Sequence, residues 1–443
     1  MTTASSVRFP DASSPRVMRT RAWWLVGLNV LIPGSAQLVA GNRRLGRFGV
    51  STTFVLWGLA VLSVILWLAA RTAVYAVITN AVGLTVLQVL LAGYAILWVV
   101  LTLDTLRLTR LVKTGSMAPA IAIIAVAALV VTAGAAGYGA VSAGSARSAV
   151  AKIFAGQNYA APVNGRYNIL LLGGDAGPDR EGLRPDSTSV ASVDATTGAV
   201  TLIGIPRNME QIRFAAGSPL YGPFPSGYNC GDQCLIDYLY TYAEGHPQLY
   251  PKAAAQGSSP GIEAMKDAAE GVTGLTIQFY ALIDMQGFSD LVDALNGVTI
   301  DVPAPLAYGP VTATKPYGTF AAGTQHMNGY LALWYARSRF DGNDYQRMAR
   351  QRQVQEAIIK QFQPAIVLTK FQDIAAAGAQ VVKTDIPSGM LSHFIDLGDR
   401  GRKLPVQQLE LVPPQFNPAR PDYAAIQAAV AGVTATASPS PAP

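Results

Sequence analysis

The segment RSRFDGNDYQRMARQR, residues 337–352, holds five arginines in a chain of which only 14% of the residues are charged. A guanidinium group presents its N–H donors in a planar fork that matches the oxygens of a phosphate. Such a density of arginines predicts a binding site for phosphate or pyrophosphate. The alternatives are a solvated basic face, or arginines that pair with acidic residues to hold the structure together.

The second half of this segment predicts a helix that begins after Asn343. The Asn343 side chain can cap the first turn, and Gln346 stands three residues later, as in a capping box. Asp344, Arg347 and Gln351 follow at positions i, i+3 and i+7, so they share one face of the helix. The buried face is predicted to hold Met348, Val354, Ala357, Ile358 and Phe362.

Two further arginines are predicted to join this helix start, and a third is predicted at the sheet edge. Arg337 and Arg339 alternate along a segment that we expect to be extended, so both should point the same way. Arg207 follows Ile-Pro where a predicted strand ends. Guanidinium groups around a helix N-terminus suit a phosphate or pyrophosphate, whereas Arg350 and Arg352 are predicted to point elsewhere.

Two aspartates suggest a cation beside the phosphate. Asp175 and Asp186 lie at the edges of the first predicted strands, in GGDAGPDREGLRPDS. Mg²⁺ accepts one or two protein carboxylates together with phosphate oxygens, so both residues are predicted metal ligands, with Mn²⁺ as an alternative ion. Each one taken alone can equally be a turn-forming aspartate. The sequence has no nucleophile elbow, no P-loop and no metal-binding histidine motif.

The elements that must position these residues alternate between strands and helices from residue 165 onward. Strands are predicted at 167–172, 187–194, 199–208, 277–284 and 297–303, and helices at 262–272, 285–296 and 343–362. This alternation predicts one α/β domain around a mixed central sheet, spanning 165–433. Long connections at 213–260 and 304–328 are predicted to be binding loops.

The preceding part, residues 22–144, is nearly free of charge outside short basic islands. A helix needs roughly 20 apolar residues to cross a bilayer. Full spans are predicted at 48–70, 78–103 and 117–141. The earlier stretch 23–41 is a re-entrant segment or a weak span, because Pro33-Gly34 interrupts it and it carries Asn29 and Gln37.

The orientation follows from the basic residues, which concentrate in the arm 1–21 and in the islands 41–47 and 104–116. Basic residues next to spans stay cytoplasmic. A re-entrant 23–41 followed by three spans keeps all three basic segments inside and places the C-terminal domain outside. Four full spans would place the islands outside and the domain inside. We favour the first arrangement, a multi-pass protein of the cell membrane with an extracytoplasmic domain.

Cys230 and Cys234, in NCGDQC, are the only cysteines. Two thiols without histidine neighbours are too few for a structural zinc site. In an oxidising compartment they predict a local disulfide, and in the cytosol they would be idle thiols. Residues 145–164 are a predicted linker, and 434–443 a predicted disordered tail rich in Pro, Ser and Ala.

Several blocks of the sequence resemble the LytR-CpsA-Psr family in content and order. They are NILLLGGDAG, RPDST, VTLIGIPRN, FYALIDMQGFSDLVDALNGVTIDVP, AGTQHMNGYLALWYARSR and DYQRMARQRQV, within residues 166–365. The resemblance implies an α/β fold with a hydrophobic channel for a polyprenyl chain. It also implies Mg²⁺-assisted transfer of a glycopolymer from polyprenyl pyrophosphate to peptidoglycan, as a phosphodiester.

Matched position by position, the resemblance implies roles for single residues. Asp175 and Asp186 would lie next to the metal, and Asp344 and Gln351 would complete the site. The pyrophosphate would be gripped by Arg207, Arg337, Arg339 and Arg347. The family often has an arginine where this chain has Gly177, for which Arg180 or Arg184 could substitute. A general base stays unassigned between Asp186 and Asp344.

The N-terminal spans resemble those of actinobacterial members of the family, whose wall polymers include arabinogalactan. The expected partners are a polyprenyl-pyrophosphate-linked donor glycan, either arabinogalactan or a teichoic-acid-like polymer, a peptidoglycan acceptor and the lipid bilayer. Nucleic acid is not expected, because the basic cluster is predicted to lie outside the cell. The alternative functions are a polyprenyl-pyrophosphate pyrophosphatase and a non-catalytic sensor of polyprenyl phosphates.

Overall fold

In the computed structural model of the chain, the described residues are 7–154, 159–175, 184–310, 312–340, 342–363 and 382–436. At positions 149, 152, 175 and 382 the description is limited to the backbone. The chain divides into two units, Met1–Arg147 and Ser148–Pro443.

The first unit is helical. Its helices are α1 Pro15–Leu31, α2 Ser35–Ala40, α3 Arg43–Ala69, α4 Arg71–Ile78, α5 Ala81–Thr109 and α6 Ala118–Ile153, of which α6 continues past Arg147. Among the described residues, three helical stretches are long and apolar enough to cross a bilayer, namely Arg43–Ala69, Ala81–Lys113 and Gly115–Ser148. They correspond to the three predicted full spans.

The predicted re-entrant segment is broken at Ile32–Gly34, between α1 and α2. Gly34 adopts φ +96°, and a Cβ atom there would lie 2.8 Å from the Gly46 carbonyl oxygen, so the break requires glycine. Both polar side chains of the segment face α5. Asn29 Nδ2 donates to Thr102 Oγ1 over 3.2 Å, and Gln37 Nε2 donates to the Leu101 carbonyl over 2.8 Å. Contact with protein therefore offsets the cost of polar groups in an apolar segment.

The second unit contains the following strands: β1 Arg166–Asp175, β2 Arg184–Asp194, β3 Val200–Ile205, β4 Phe279–Asp284, β5 Val298–Val302, β6 Leu306–Tyr308, β7 Gly318–Phe320, β8 Gly323–Met327, β9 Val382–Thr384 and β10 Gln407–Glu410. Its helices are α7 Ile236–Glu244, α8 Pro260–Thr273, α9 Met285–Ala294, α10 Gly329–Arg337, α11 Asp344–Gln361, α12 Leu391–Gly401 and α13 Tyr423–Thr436.

The main sheet has the order β10-β3-β2-β1-β4-β9. The pairs β10–β3 and β1–β4 are parallel and the other neighbours antiparallel, which confirms the predicted mixed sheet. In β2 and β3, Thr188 pairs with Ile205, so the start of β2 and the end of β3 lie at the same edge. The ribbons β5–β8 and β6–β7 stand outside this sheet.

Two hydrophobic clusters, called the main core and the smaller core, hold these elements together. The larger one joins β1–β4 to α7, α8 and α13 through side chains such as Ile203, Leu239 and Met265, each fully buried. The smaller one joins α9, α10 and α11 to the β5–β8 ribbon, with Tyr335 and Val354 at its centre. Helix α11 is thus fixed by buried side chains along its length, so the position of its N-terminal turn is fixed as well.

Two predicted binding loops contain regular structure. The connection 213–260 includes α7, whose Ile236 and Leu239 belong to the main core. The connection 304–328 includes β6, β7 and β8. These short elements were not predicted, because tyrosine, proline and glycine between the apolar residues obscured elements that tertiary packing stabilises. The binding role of both connections stays a prediction.

Cys230 and Cys234 form a disulfide, with their Cα atoms 5.1 Å apart. Cys234 belongs to the main core, so the bridge anchors the segment that leads into α7. At the other end of the unit, α13 extends to Thr436. The predicted disordered tail therefore begins inside a helix, and its residues 437–443 lie outside the described part of the chain.

Candidate active site

Three elements meet at the edge of the main sheet where the arginines were predicted. Asp186 is the third residue of β2, Arg207 follows β3 after one proline, and Asp344 and Arg347 occupy the first turn of α11. Arg339 lies in the link that leads from α10 to α11. Arg207, Arg339 and Arg347, with Asp186 and Asp344, are called the arginine cluster below.

Asp344 is the centre of this cluster. Its Oδ2 lies 3.2 Å from Arg207 Nε, and its Oδ1 lies 3.1 Å from Arg347 Nη2 and 3.6 Å from Arg339 Nη1. Arginines from three different segments therefore converge on one carboxylate. Burial alone would raise the pKa of Asp344, but the bonds from Arg347 and Arg207 outweigh it and lower this pKa.

Asp186 is the second carboxylate of the cluster. Arg207 Nη1 donates to Asp186 Oδ1 over 2.7 Å, and Arg347 Nη1 donates to the Asp186 backbone carbonyl over 3.1 Å. Burial would lower the pKa of Arg207, yet Asp186 and Asp344 raise it. Three guanidinium groups against two carboxylates leave the cluster with a net positive charge, as an anion site requires.

The start of α11 is built as the sequence predicted. Gln346 N donates to Asn343 Oδ1 over 2.9 Å, and Asn343 N donates to Gln346 Oε1 over 3.0 Å, which completes a capping box. A Cβ atom at position 342 would lie 2.5 Å from Gln346 Oε1, so Gly342 permits this close approach. The cap fixes the turn that carries Asp344 and Arg347.

Arg337 is the last residue of α10, and the prediction that Arg337 and Arg339 share an extended segment was wrong. The Arg337 guanidinium carbon lies 5.9 Å from the centre of the Trp334 ring, an aromatic side chain of the same helix. The helix continues to this residue because Leu331, Trp334 and Tyr335 pack at helical spacing against the smaller core.

Arg350 and Arg352 have structural roles, as predicted. Arg350 donates to the carbonyls of Tyr335, over 2.9 Å, and Ser338, and so caps the end of α10. Arg352 is 1% exposed and lies 3.2 Å from Glu410 Oε1, which ties α11 to β10. Burial lowers the pKa of Arg352, and Glu410 opposes that effect.

Two other predicted site residues have a known position but no described contact with the cluster. Gln351 is 8% exposed and lies one turn after Arg347 on α11. Asp175 ends β1, where its backbone pairs with Arg184, and its side chain lies outside the described part of the structure. Gly177 and Arg180 also lie outside it. Arg184, the other predicted substitute arginine, stacks on the Tyr238 ring at 4.5 Å.

Sequence reasoning missed Asp237, the second residue of α7. The Asp237 backbone N–H donates to the Arg207 carbonyl over 3.3 Å, and Asp237 is 6% exposed. Among the described residues, no hydrogen-bond donor reaches its buried Oδ1. Burial raises the pKa of Asp237 to about 6, Arg207 opposes the shift and Asp186 adds to it. The available signal was a single carboxylate inside the apolar run LIDYLYTY.

The described residues contain no group of three histidine, cysteine, aspartate or glutamate side chains placed to hold a metal ion. The backbones of residues 175 and 186 lie close together at one edge of the sheet, because Asp175 pairs with Arg184, two positions before Asp186. A cation here would rely on one or two carboxylates and on oxygens of the substrate, which is the way Mg²⁺ is commonly held at phosphates.

Comparison with known proteins finds relatives of this chain. The LytR_cpsA_psr family profile matches residues 138–417. The polyisoprenyl-teichoic acid–peptidoglycan teichoic acid transferase TagU of Bacillus cereus is 28% identical over 221 residues, which is 49% of this chain and 60% of that protein. TagU of Enterococcus faecalis is 26% identical over 224 residues, or 50% of this chain and 61% of that protein. The matches thus span about three fifths of these relatives.

Solved structures also resemble the chain. TagV of B. subtilis covers 63% of this chain and 100% of its own length, with 21% identity and a TM-score of 0.44. TagT bound to LI-WTA covers 63% of this chain and 93% of its own length, with 19% identity and a TM-score of 0.44.

Proposed function

This chain belongs to the LytR-CpsA-Psr family, and on that premise we propose that it transfers a glycopolymer from polyprenyl pyrophosphate to peptidoglycan, as a phosphodiester. The observation that carries the proposal is the convergence of Arg207, Arg339 and Arg347 on Asp344 at the sheet edge. The donor glycan would be arabinogalactan or a teichoic-acid-like polymer, and the names of the two TagU relatives support this class of substrate.

The arginine cluster suits a pyrophosphate better than a carboxylate ligand. Asp344 accepts from both Arg207 and Arg347. Asp186 accepts from Arg207 through its carboxylate and from Arg347 through its backbone carbonyl, so the guanidinium groups are held in place before substrate arrives. Phosphate oxygens carry more charge than one carboxylate and match several guanidinium forks at once. A preorganised set of cations costs no reorganisation when charge develops on the reacting phosphoryl group.

The reaction needs an acceptor hydroxyl, and its atoms balance as follows. The oxygen of a peptidoglycan sugar hydroxyl attacks the phosphorus that bears the glycan. The bond from that phosphorus to the bridging oxygen breaks, and polyprenyl phosphate leaves with the electron pair. The hydroxyl proton passes to a base. Arg207, Arg339 and Arg347 would stabilise the charge on the transferred and leaving phosphates throughout.

We propose that Asp175 and Asp186 hold Mg²⁺, or Mn²⁺ in its place. Carboxylate oxygens are the hard ligands that both ions prefer, and the end of β1 and the start of β2 bring the two residues to one edge of the sheet. The bound ion would polarise phosphoryl oxygens. Arg207, which contacts Asp186, would bind the same phosphate.

Of the two predicted general bases, Asp344 is the weaker. Its pKa is lowered by Arg347 and Arg207 despite its burial, so it holds a proton poorly. Its geometry instead makes it the residue that positions three arginines. Asp186, whose carboxylate accepts from Arg207, is the other candidate of the predicted pair.

The apolar helices support a place for this reaction at a membrane. Stretches such as Ala81–Lys113 and Gly115–Ser148 are long enough to span a bilayer. We propose a multi-pass protein whose second unit is extracytoplasmic, where both peptidoglycan and the lipid-linked donor are accessible. The disulfide between Cys230 and Cys234 supports an oxidising compartment for this unit.

The proposal is tested with the full-length chain in detergent. It is incubated with a short synthetic prenyl-pyrophosphate oligosaccharide, Mg²⁺ and peptidoglycan fragments, and the products are followed by mass spectrometry. We expect a glycan–phosphate–peptidoglycan conjugate that falls at least about 100-fold in Arg347→Ala, since one electrostatic contact to the reacting group contributes that much.

Arg400→Ala is the matched control, because Arg400 is an exposed arginine of α12 paired with Asp396 rather than with the cluster. The control should form conjugate at the wild-type rate. Conjugate formation that is equally fast in Arg347→Ala would contradict the assignment of the site. Release of glycan phosphate without conjugate, in the wild type, would instead indicate a pyrophosphatase.

A further inference from the structure

An exposed group of aromatic side chains adjoins the arginine cluster. Tyr317 and Tyr330 are 60% and 52% exposed, and both rings contact the half-buried Trp334. The Tyr317 and Trp334 ring centres are 5.3 Å apart with the rings at 77°, and those of Tyr330 and Trp334 are 6.4 Å apart at 71°. Tyr308 lies behind them, 6.2 Å from Trp334. Tyr308, Tyr317, Tyr330 and Trp334 are called the aromatic patch.

The patch is fixed to the fold. The Tyr308 and Phe320 ring centres are 4.6 Å apart, and Phe320 belongs to the smaller core. Tyr317 N donates to the Tyr308 carbonyl over 2.7 Å. A Cβ atom at residue 318 would lie 2.7 Å from the Tyr308 hydroxyl, so Gly318 lets the Tyr308 ring approach the backbone closely. Large apolar rings are thus held in place while exposed to solvent, which is typical of a binding surface.

The segment that carries Trp334 also carries Arg337 and Arg339. Arg337 places its guanidinium 5.9 Å from the Trp334 ring centre. Two residues later, Arg339 reaches Asp344. Between them, Ser338 Oγ donates to the Ala307 carbonyl over 3.2 Å, and so ties the arginine segment to the strand that bears Tyr308. The chain from Trp334 through Arg337 to Arg339 therefore links the aromatic patch to the arginine cluster.

We propose that Tyr317, Tyr330 and Trp334 form a saccharide-binding subsite that takes the first sugars of the pyrophosphate-linked donor. The subsite rests on the proposed function, since it is defined by its place beside the pyrophosphate. A sugar ring offers an apolar C–H face to an aromatic ring and hydroxyls around its rim, and tyrosine presents both an apolar face and a hydroxyl. A polyprenyl chain would instead need an enclosed apolar groove, and rings exposed by more than half do not provide one.

The test compares two probes that differ only in the sugar, farnesyl pyrophosphate and farnesyl-pyrophosphoryl-N-acetylglucosamine. Their dissociation constants are measured for the full-length protein in detergent with Mg²⁺. The wild type should bind the sugar-bearing probe more tightly. In the double variant Tyr317→Ala/Tyr330→Ala this preference should fall about tenfold, which corresponds to about 1.4 kcal/mol for two aromatic contacts. The affinity for farnesyl pyrophosphate should stay unchanged.

Tyr159→Ala is the matched control, because Tyr159 is 74% exposed and lies outside the patch. It should leave both constants at the wild-type values. Equal losses for the two probes in the double variant would show that the rings bind the prenyl or pyrophosphate part and would overturn the inference. An unchanged preference would overturn it as well.

Two further measurements separate the other possible occupants. If the double variant loses binding only to vesicles of phosphatidylglycerol and phosphatidylethanolamine, the patch is a membrane anchor and the inference is wrong. If it loses affinity only for soluble muropeptides, the patch serves the acceptor, which also overturns the inference. A wild type that binds neither farnesyl probe would refute the proposed pyrophosphate site itself. A wild type that binds both probes equally would refute only the sugar subsite.

Discussion

At the scale of single residues, Asp344 has the largest influence on the site, because three guanidinium groups depend on its carboxylate. We expect Asp344→Asn to lower the transfer rate about 100-fold, since the arginines lose the charge that holds them in position and repel one another. The measurement is the initial rate of conjugate formation with saturating donor.

Asp396→Asn serves as the control for Asp344→Asn. Asp396 pairs with Arg400 on the surface of α12, and exposed i,i+4 pairs contribute little to stability. A rate in Asp344→Asn that equals the rate in Asp396→Asn would disprove the central position of Asp344.

Asp237 gives a prediction about pH. Its pKa of about 6 in the folded state exceeds the ordinary value of 3.8, so the folded state binds this proton more tightly than the unfolded state does. Stability therefore falls as pH rises from about 4 to about 6 and stays lower above that range. We expect Asp237→Asn to stabilise the protein by up to roughly 3 kcal/mol near neutral pH and by little near pH 4.

The measurement for Asp237→Asn is the apparent melting temperature of the full-length protein in detergent, at about pH 7.5 and about pH 4. The exposed residue Asp232 provides the control, Asp232→Asn, which should shift neither value. A melting temperature of Asp237→Asn that lies above the wild type by the same amount at both pH values would show that the carboxylate does not titrate as described.

At the scale of elements, the link from α10 to α11 decides where the arginines stand. Arg350 donates to carbonyls at the end of α10 and so holds the segment that carries Arg337 and Arg339. We expect Arg350→Met to keep the fold but to free this segment, which lowers transfer about tenfold or more through misplacement alone. Amide hydrogen exchange of residues 338–343 should accelerate in parallel.

The comparison variant for Arg350→Met is Arg402→Met, because Arg402 pairs locally with Asp399. Exchange in residues 338–343 should not change there. Slow exchange together with lost activity in Arg350→Met would mean that Arg350 acts on the substrate directly, contrary to its described contacts.

The elements also show which parts of the fold the sequence could predict. The capping box at Asn343 and the strands β1 to β3 follow from neighbours within a few residues, so local patterns sufficed. The end of α10 depends on Arg350, which is 13 positions after Arg337 in the sequence, and the pattern RSR alone suggested an extended segment. Tertiary contacts decide such boundaries.

The candidate site could likewise be predicted only in part from the sequence. The residue types and the common face of Asp344 and Arg347 were predictable from helical spacing. The contact of Asp344 with Arg207 joins residues 137 positions apart, and only the family resemblance indicated it. Asp237 escaped notice because its environment depends on burial beside Arg207, and a single carboxylate in an apolar run does not indicate which residue it is buried against.

At the scale of the whole molecule, the proposed transfer to peptidoglycan requires the second unit to lie outside the cytoplasm. We expect a cysteine introduced at the exposed Ala216, with Cys230 and Cys234 both replaced by serine, to react with a membrane-impermeant maleimide in intact cells. Cysteine at Val112, which is 98% exposed in the predicted cytoplasmic island, should react only after lysis.

The reverse labelling pattern would place the second unit in the cytoplasm. It would support four full spans, and it would remove peptidoglycan from the list of acceptors. Labelling of both positions before lysis would show that the island at 104–116 is also outside, which contradicts the retention of basic residues on the cytoplasmic side.

In the proposed reaction, the phosphate bonded to the glycan ends in a phosphodiester with peptidoglycan. The most direct test follows that phosphorus, by supplying the full-length protein with a prenyl-pyrophosphate oligosaccharide labelled with ³²P next to the sugar. We predict that the label appears in peptidoglycan fragments and resists phosphatase, as expected for a diester, with unlabelled prenyl phosphate as the second product. Label recovered as free glycan phosphate, or retained in the donor, would contradict the account.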